Sequence, residues 1–163
     1  MDNLEILAKK VYEHLKDKAL TLATAESCTG GMIASYLTSV PGVSDYFGYG
    51  FVTYSNEAKQ KLLGVSEATL KKYGAVSAET VCEMAEGAIA VSGADMAVSV
   101  SGIAGPGGGT DEKPVGLVYM GFARKGHKTL FEKLMFSGDR QDVRRKTAEH
   151  VFETVLNNII INL

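Results

Sequence analysis

The sequence has little of several things, and each scarcity narrows the field. It has two cysteines, Cys28 and Cys82, too few for a disulfide framework, and no Cys/His spacing of the zinc type. A reducing compartment, the cytoplasm, is the expectation. Proline occurs only 3 times, which argues against long disordered linkers. The formal net charge of -2 leaves no basic footprint for nucleic acid. No apolar run approaches the ~20 residues that span a bilayer, and Met1-Asp2-Asn3-Leu4-Glu5 does not start like a signal peptide. Neither nucleic acid nor membrane is an expected partner. Histidine is scarce too: His14, His127 and His150 are the only three.

What remains is an ordinary soluble composition, 45% hydrophobic and 22% charged, with 18 glycines over 163 residues. No repeat or internal boundary divides the chain, so residues 1–163 are expected to form one domain. Apolar spacing predicts a helix over residues 3–17, with Asp2 and Glu5 placed as a capping pair. A buried strand is expected over 19–23 and a helix from Met32 to near Ser39. A second strand is expected over 46–54, then a short helix from Ser55-Asn56 to Gly64. A helical piece follows over 66–73, then a longer helix capped by Ser77. Strands are expected over 96–101, 115–124 and 128–136, the last two a hairpin turning at Lys125-Gly126. A long helix closes the chain, and the apolar tail 159–163 is expected in the core or an interface.

Helical connections make the first three strands parallel. The loop after strand three carries no helix, so strand four should run antiparallel and strand five parallel to the first three. The ends of strands one, two, three and five then meet at one crevice, the usual ligand site of an open α/β sheet. Those ends carry Glu26-Ser27-Cys28-Thr29-Gly30-Gly31, Tyr54-Ser55-Asn56-Glu57-Ala58-Lys59, Ser101-Gly102 with the loop through Gly105, and Ser137-Gly138-Asp139-Arg140.

Ser27, Cys28 and Thr29 are rival nucleophiles at a helix mouth, and the plain alternative makes Ser27 or Thr29 an N-cap. A serine nucleophile needs a base. None of the three histidines is predicted nearby, so a lysine of depressed pKa is the alternative, and Lys59, in the first turn of its helix, is the candidate. The glycine loop lacks the Gly-Lys-Ser/Thr of a Walker loop and opens no helix. Its glycines instead let backbone N–H groups approach an anion. Arg140 suits a phosphate at the crevice mouth, while Arg144 and Arg145 read as solvated. Glu26, Asp111, Glu112 and Asp139 lack metal-ligand spacing, so no metal is expected.

Four motifs together resemble the CinA C-terminal domain family: Ala25-Glu26-Ser27-Cys28-Thr29-Gly30-Gly31, Gly50 through Lys59, Ser101 through Gly108 with Glu112 through Gly116, and Phe136 through Arg140. The resemblance covers nearly the whole chain. It implies a three-layer α/β/α fold on a five-stranded mixed sheet with strand four antiparallel. It implies a Ser/Lys dyad, Ser27 as nucleophile and Lys59 as base. The implied reaction is hydrolysis of nicotinamide mononucleotide to nicotinic acid mononucleotide and ammonia, in pyridine nucleotide salvage, by a homodimer without a cofactor. Thr29, Gly30 and Gly31 are expected around the oxyanion. Tyr54, Asn56, Ser101, Gly102, Gly105 and Arg140 are expected to hold substrate. The different-class alternative is a non-catalytic nucleotide-binding module that regulates a partner.

Overall fold

A computed structural model describes residues 1–157, and the tail 159–163 lies outside the described residues. Helix α1 (Asn3–Lys18) leads to β1 (Leu22–Glu26), α2 (Met32–Thr38) and β2 (Phe47–Val52). Helices α3 (Asn56–Leu63), α4 (Glu67–Tyr73) and α5 (Ala78–Ser92) lead to β3 (Met96–Gly102). The hairpin β4 (Leu117–Arg124) and β5 (Leu130–Met135) and then α6 (Arg140–Leu156) complete the order. The sheet order is β2-β1-β3-β4-β5. β1 is parallel to both β2 and β3, and β4 is antiparallel to both β3 and β5. The expected mixed sheet, with strand four antiparallel, is the observed one.

One expected element is displaced. The first strand starts at Leu22 rather than near Ala19, because α1 runs to Lys18 and Ala19 caps it in the left-handed region at φ 53°. As an internal strand of a covered sheet, β1 is buried at all five residues, so alternation could not mark its limits. The expected capping pair does form: Asp2 accepts from the Glu5 N–H at 2.9 Å, and the Glu5 carboxylate accepts from the Asp2 N–H at 2.8 Å.

The two faces of the sheet differ in bulk. Leu22, Met96, Val98, Val100, Met120 and Phe122 pack under α1, α2 and α6. The opposite face is built of Ala23, Ala25, Ala97 and Ala123, and α3, α4 and α5 cover it. Small residues draw α5 close. A Cβ on Gly121 would lie 2.4 Å from the Val81 carbonyl oxygen. Ser27 and Ser101 continue the alternation of this small-residue face. The chain leaves β1 through α2 on one face and reaches β3 through α3–α5 on the other. The crevice therefore opens at the carboxyl ends of β1 and β3, where the connections diverge.

Candidate active site

Ser27 follows the last residue of β1, and its N–H continues the ladder by donating to the Val100 carbonyl at 3.0 Å. On the other side the Thr53 N–H donates to the Glu26 carbonyl at 2.9 Å. These two bonds hold the ends of β1, β2 and β3 level, so the residues that follow them face one another. A three-residue link, Thr53-Tyr54-Ser55, joins β2 to α3, whose start is fixed by Ser55: its side chain accepts from the Ala58 N–H at 3.0 Å. One turn into α3, Lys59 turns inward and is only 1% exposed.

The Lys59 ammonium nitrogen has three neighbours. Ser27 Oγ lies at 2.9 Å, the Thr53 carbonyl oxygen at 2.8 Å and the Tyr54 carbonyl oxygen at 3.4 Å. Among the described residues no carboxylate pairs with it, and burial lowers the pKa from its ordinary 10.5 to about 8. Desolvation is the leading cause, as expected of a lysine base buried at this edge. About a tenth of the lysine is then neutral at pH 7, hundreds of times more than for an ordinary lysine. A neutral amine has two N–H donors and one lone pair. The two carbonyls accept the donors, and the lone pair is left for the Ser27 hydroxyl.

Cys28 is a different matter. Its side chain is 6% exposed and packs with Val98, Val100 and Val143 in the core beneath α6. Burial pushes its thiol up to about 12, so it is protonated and inert at neutral pH. Thr29 is fully buried, and its hydroxyl donates to the Glu26 carboxylate at 2.6 Å. Of the three rivals, Ser27 alone meets a base.

Neither Ser27 nor Thr29 is the N-cap of α2. That position is Gly31, in the left-handed region at φ 99° and without a side-chain cap. The capping group is the Glu26 carboxylate. One oxygen accepts from the Thr29 hydroxyl and the Ile33 N–H at 2.9 Å, and the other from the Ala34 N–H at 3.0 Å. The positive end of α2 is thus already met by an internal anion. The Gly30 N–H is also committed, donating to the Ser27 carbonyl at 3.0 Å. It is therefore not a free oxyanion donor, contrary to expectation.

Ser27, Lys59, Tyr54, Ser101, Gly102, Gly105 and Arg140 line one cleft of about 270 Å³, together with Cys28. Thr29, Gly30 and Gly31 do not line it, and neither does Asn56, the exposed first helical residue of α3. The mouth is spanned by Arg140, which donates to the Gly105 carbonyl at 2.8 Å and the Tyr54 hydroxyl at 3.0 Å. Both partners are neutral, so the guanidinium keeps its full charge for an anion.

Arg144 and Arg145 are half-buried and hydrogen-bonded rather than free in solvent. Arg145 donates to the Tyr36 hydroxyl at 3.2 Å and pairs with Asp2 at 3.6 Å. Arg144 donates to the Cys28 and Thr29 carbonyls at 3.3 and 2.9 Å. Its signal was spacing: it lies one turn after Arg140 on α6. Ala75, Val76, Ile103, Ala104, Gly107 and Gly108 complete the cleft wall, and only their loops marked them in the sequence.

A larger hollow of about 620 Å³ lies beside α1, but its only carboxylate, Glu5, is engaged in the α1 cap. Among the described residues no group of three or more His, Cys, Asp or Glu is placed to hold a metal. No described helix is long and apolar enough to cross a membrane.

Residues 4–159 match the sequence model of the CinA C-terminal domain. A nicotinamide-nucleotide amidohydrolase, PncC, of Enterobacter agglomerans is 53% identical over 159 residues, 98% of this chain and 97% of that protein. A putative competence-damage inducible protein of Caldanaerobacter subterraneus subsp. tengcongensis is 52% identical over 151 residues; the match takes in 93% of this chain but 36% of that longer protein. The crystal structure of the competence/damage inducible protein CihA from Agrobacterium tumefaciens superposes with a TM-score of 0.92 at 41% identity, covering 96% of each chain.

Proposed function

The chain belongs to the CinA C-terminal domain family, and from that premise we propose that it hydrolyses the carboxamide of nicotinamide mononucleotide, giving nicotinic acid mononucleotide and ammonia. The named activity of its Enterobacter agglomerans relative supports the substrate. The observation that carries the reading is the 2.9 Å approach of Lys59 Nζ to Ser27 Oγ inside a cleft whose mouth is spanned by Arg140.

Neutral Lys59 takes the Ser27 proton as Oγ attacks the carboxamide carbon, forming a tetrahedral oxyanion. The backbone N–H of Cys28, the residue next to the nucleophile, serves as the first donor to that oxygen. N–H groups of the loop around Ala104 and Gly105 supply a second. Each good donor lowers the barrier by about 3–4 kcal/mol. Lys59 then gives its proton to the nitrogen, the C–N bond breaks and ammonia departs, leaving an acyl ester on Ser27. Water attacks the ester, Lys59 accepts its proton, and that proton returns to Ser27 Oγ as the carboxylic acid leaves. Arg140 and the glycine loop hold the phosphate, and Tyr54 borders the ring. Resemblance to the family supports a homodimer in the cytoplasm, working in pyridine nucleotide salvage.

The test is ammonia release from nicotinamide mononucleotide. The wild-type protein should release it and Ser27→Ala should not. No release by wild type, or equal release by the variant, overturns the reading.

A further inference from the structure

The residue after the nucleophile sits in a turn closed by the Gly30 N–H on the Ser27 carbonyl. In such a four-residue turn the central peptide, here Cys28–Thr29, has two orientations related by a flip. One keeps its carbonyl oxygen away from the crevice and the other swings that oxygen round. A carbonyl turned toward a forming oxyanion would repel it, so the nucleophile turn needs one orientation only.

Arg144 meets the carbonyl of that central peptide, Cys28, and the one after it, Thr29, which also accepts from the Met32 N–H at 3.1 Å. Nε donates to Cys28 O at 3.3 Å and Nη2 to Thr29 O at 2.9 Å, while Nη1 donates to Gln141 at 2.9 Å. All three acceptors are neutral. The guanidinium hangs from α6, a helix anchored by fully buried Val143, Phe152 and Val155. Arg144 is not among the residues lining the cleft. We propose that Arg144 is a positioning residue, holding the Cys28 and Thr29 carbonyls toward α6 and so fixing the nucleophile turn in its reactive orientation. The proposal rests on the Ser27 mechanism above.

A peptide is planar and trans, so a Cys28 carbonyl drawn to α6 points the Thr29 N–H the opposite way. Arginine suits the task because its fork reaches both carbonyls at once, whereas lysine offers one point charge.

The test compares wild type with Arg144→Met, Arg144→Lys and Arg144→Ala. Two readouts are used: ammonia release from nicotinamide mononucleotide, and labelling of Ser27 by a fluorophosphonate, followed by mass spectrometry. Arg144→Met should lower kcat and the labelling rate by roughly tenfold to a hundredfold, with KM and the Lys59 pH midpoint unchanged. Arg144→Lys should lie between, and added guanidinium ion should restore part of the Arg144→Ala loss. Wild-type labelling by Arg144→Met, even with a lower melting temperature, overturns the proposal, since the contact is then only structural. A rise in KM with kcat intact also overturns it, since Arg144 is then a substrate contact. Wild-type protein that labels at Ser27 but releases no ammonia removes the deamidation reading, and the labelling comparison still decides the role of Arg144.

Discussion

Lys59 Nζ stands 2.9 Å from Ser27 Oγ in a residue 1% exposed, with two backbone carbonyls, and no carboxylate of the described residues, around it. Its protonation state therefore governs the nucleophile. Activity requires the neutral amine, so kcat/KM should rise with pH and level off above a midpoint near 8. Lys59→Ala should abolish turnover at every pH. A flat profile between pH 6 and pH 9, about one decade either side of the working range, would show that another group is the base.

The same lysine makes stability depend on pH. Its folded pKa, about 8, lies below the ordinary 10.5. Below the folded value both states are protonated, and the burial penalty is fully present at roughly 3 kcal/mol. Between the two values only the unfolded chain holds the proton, so stability rises with pH, and above 10.5 the penalty is gone. Between pH 7 and 10, wild type should gain roughly 2–3 kcal/mol relative to Lys59→Met. Comparison with the variant cancels other alkaline titrations. Urea melts at several pH values measure the difference.

The nucleophile assignment separates from its neighbour by thiol chemistry. Burial pushes Cys28 to about 12 and Cys82 to about 11, so neither is a thiolate at neutral pH. Iodoacetamide should leave the folded protein active. Cys28→Ala should keep its turnover and cost about 1 kcal/mol of stability for the core volume lost. Loss of turnover in a folded Cys28→Ala protein would move the nucleophile to the thiol.

Much of this arrangement was legible in the chain, for identifiable reasons. Helical connections fixed strand directions, and directions put Ser27, Lys59, Ser101 and Arg140 at one edge of the sheet. The absence of a nearby histidine pointed to Lys59. The contacts within the turn were not legible. Glu26 reads as one more polar residue of a polar cluster. Only the packing of α2 shows its carboxylate collecting the Ile33 and Ala34 N–H groups, which leaves Ser27 and Thr29 out of the cap. Arg144 reads as solvated because nothing local says that α6 passes within reach of Cys28 and Thr29. Long-range partners of charged side chains are set by packing, which spacing along the chain does not encode.

Arg140 should separate phosphate recognition from chemistry. Its bonds to Gly105 and Tyr54 leave its charge uncompensated at the cleft mouth. Arg140→Ala should raise KM for nicotinamide mononucleotide by roughly tenfold to a hundredfold, the loss of one charge-assisted contact. For nicotinamide riboside, which lacks the phosphate, wild type and variant should differ little. Equal losses on both substrates would place the arginine elsewhere in the mechanism.

Gly87 tests whether α5 sets the position of the base. It lies within α5, where alanine would ordinarily stabilise a helix by about 1 kcal/mol. Here an added Cβ would sit 1.9 Å from the Leu63 carbonyl oxygen and 2.8 Å from its carbon. Both atoms are backbone, so no side-chain rotation relieves the clash, and α3 must move from α5 by about 1 Å. Leu63 ends α3 one turn after Lys59, so the displacement travels along a rigid helix to the base. Gly87→Ala should therefore lose about 1–3 kcal/mol of stability, opposite in sign to helix propensity. It should also lower kcat by up to about a hundredfold through a longer Lys59–Ser27 distance. Thermal melts and ammonia release together check it. A stabilised variant with wild-type turnover would mean that the two helices are not in the contact that places Lys59.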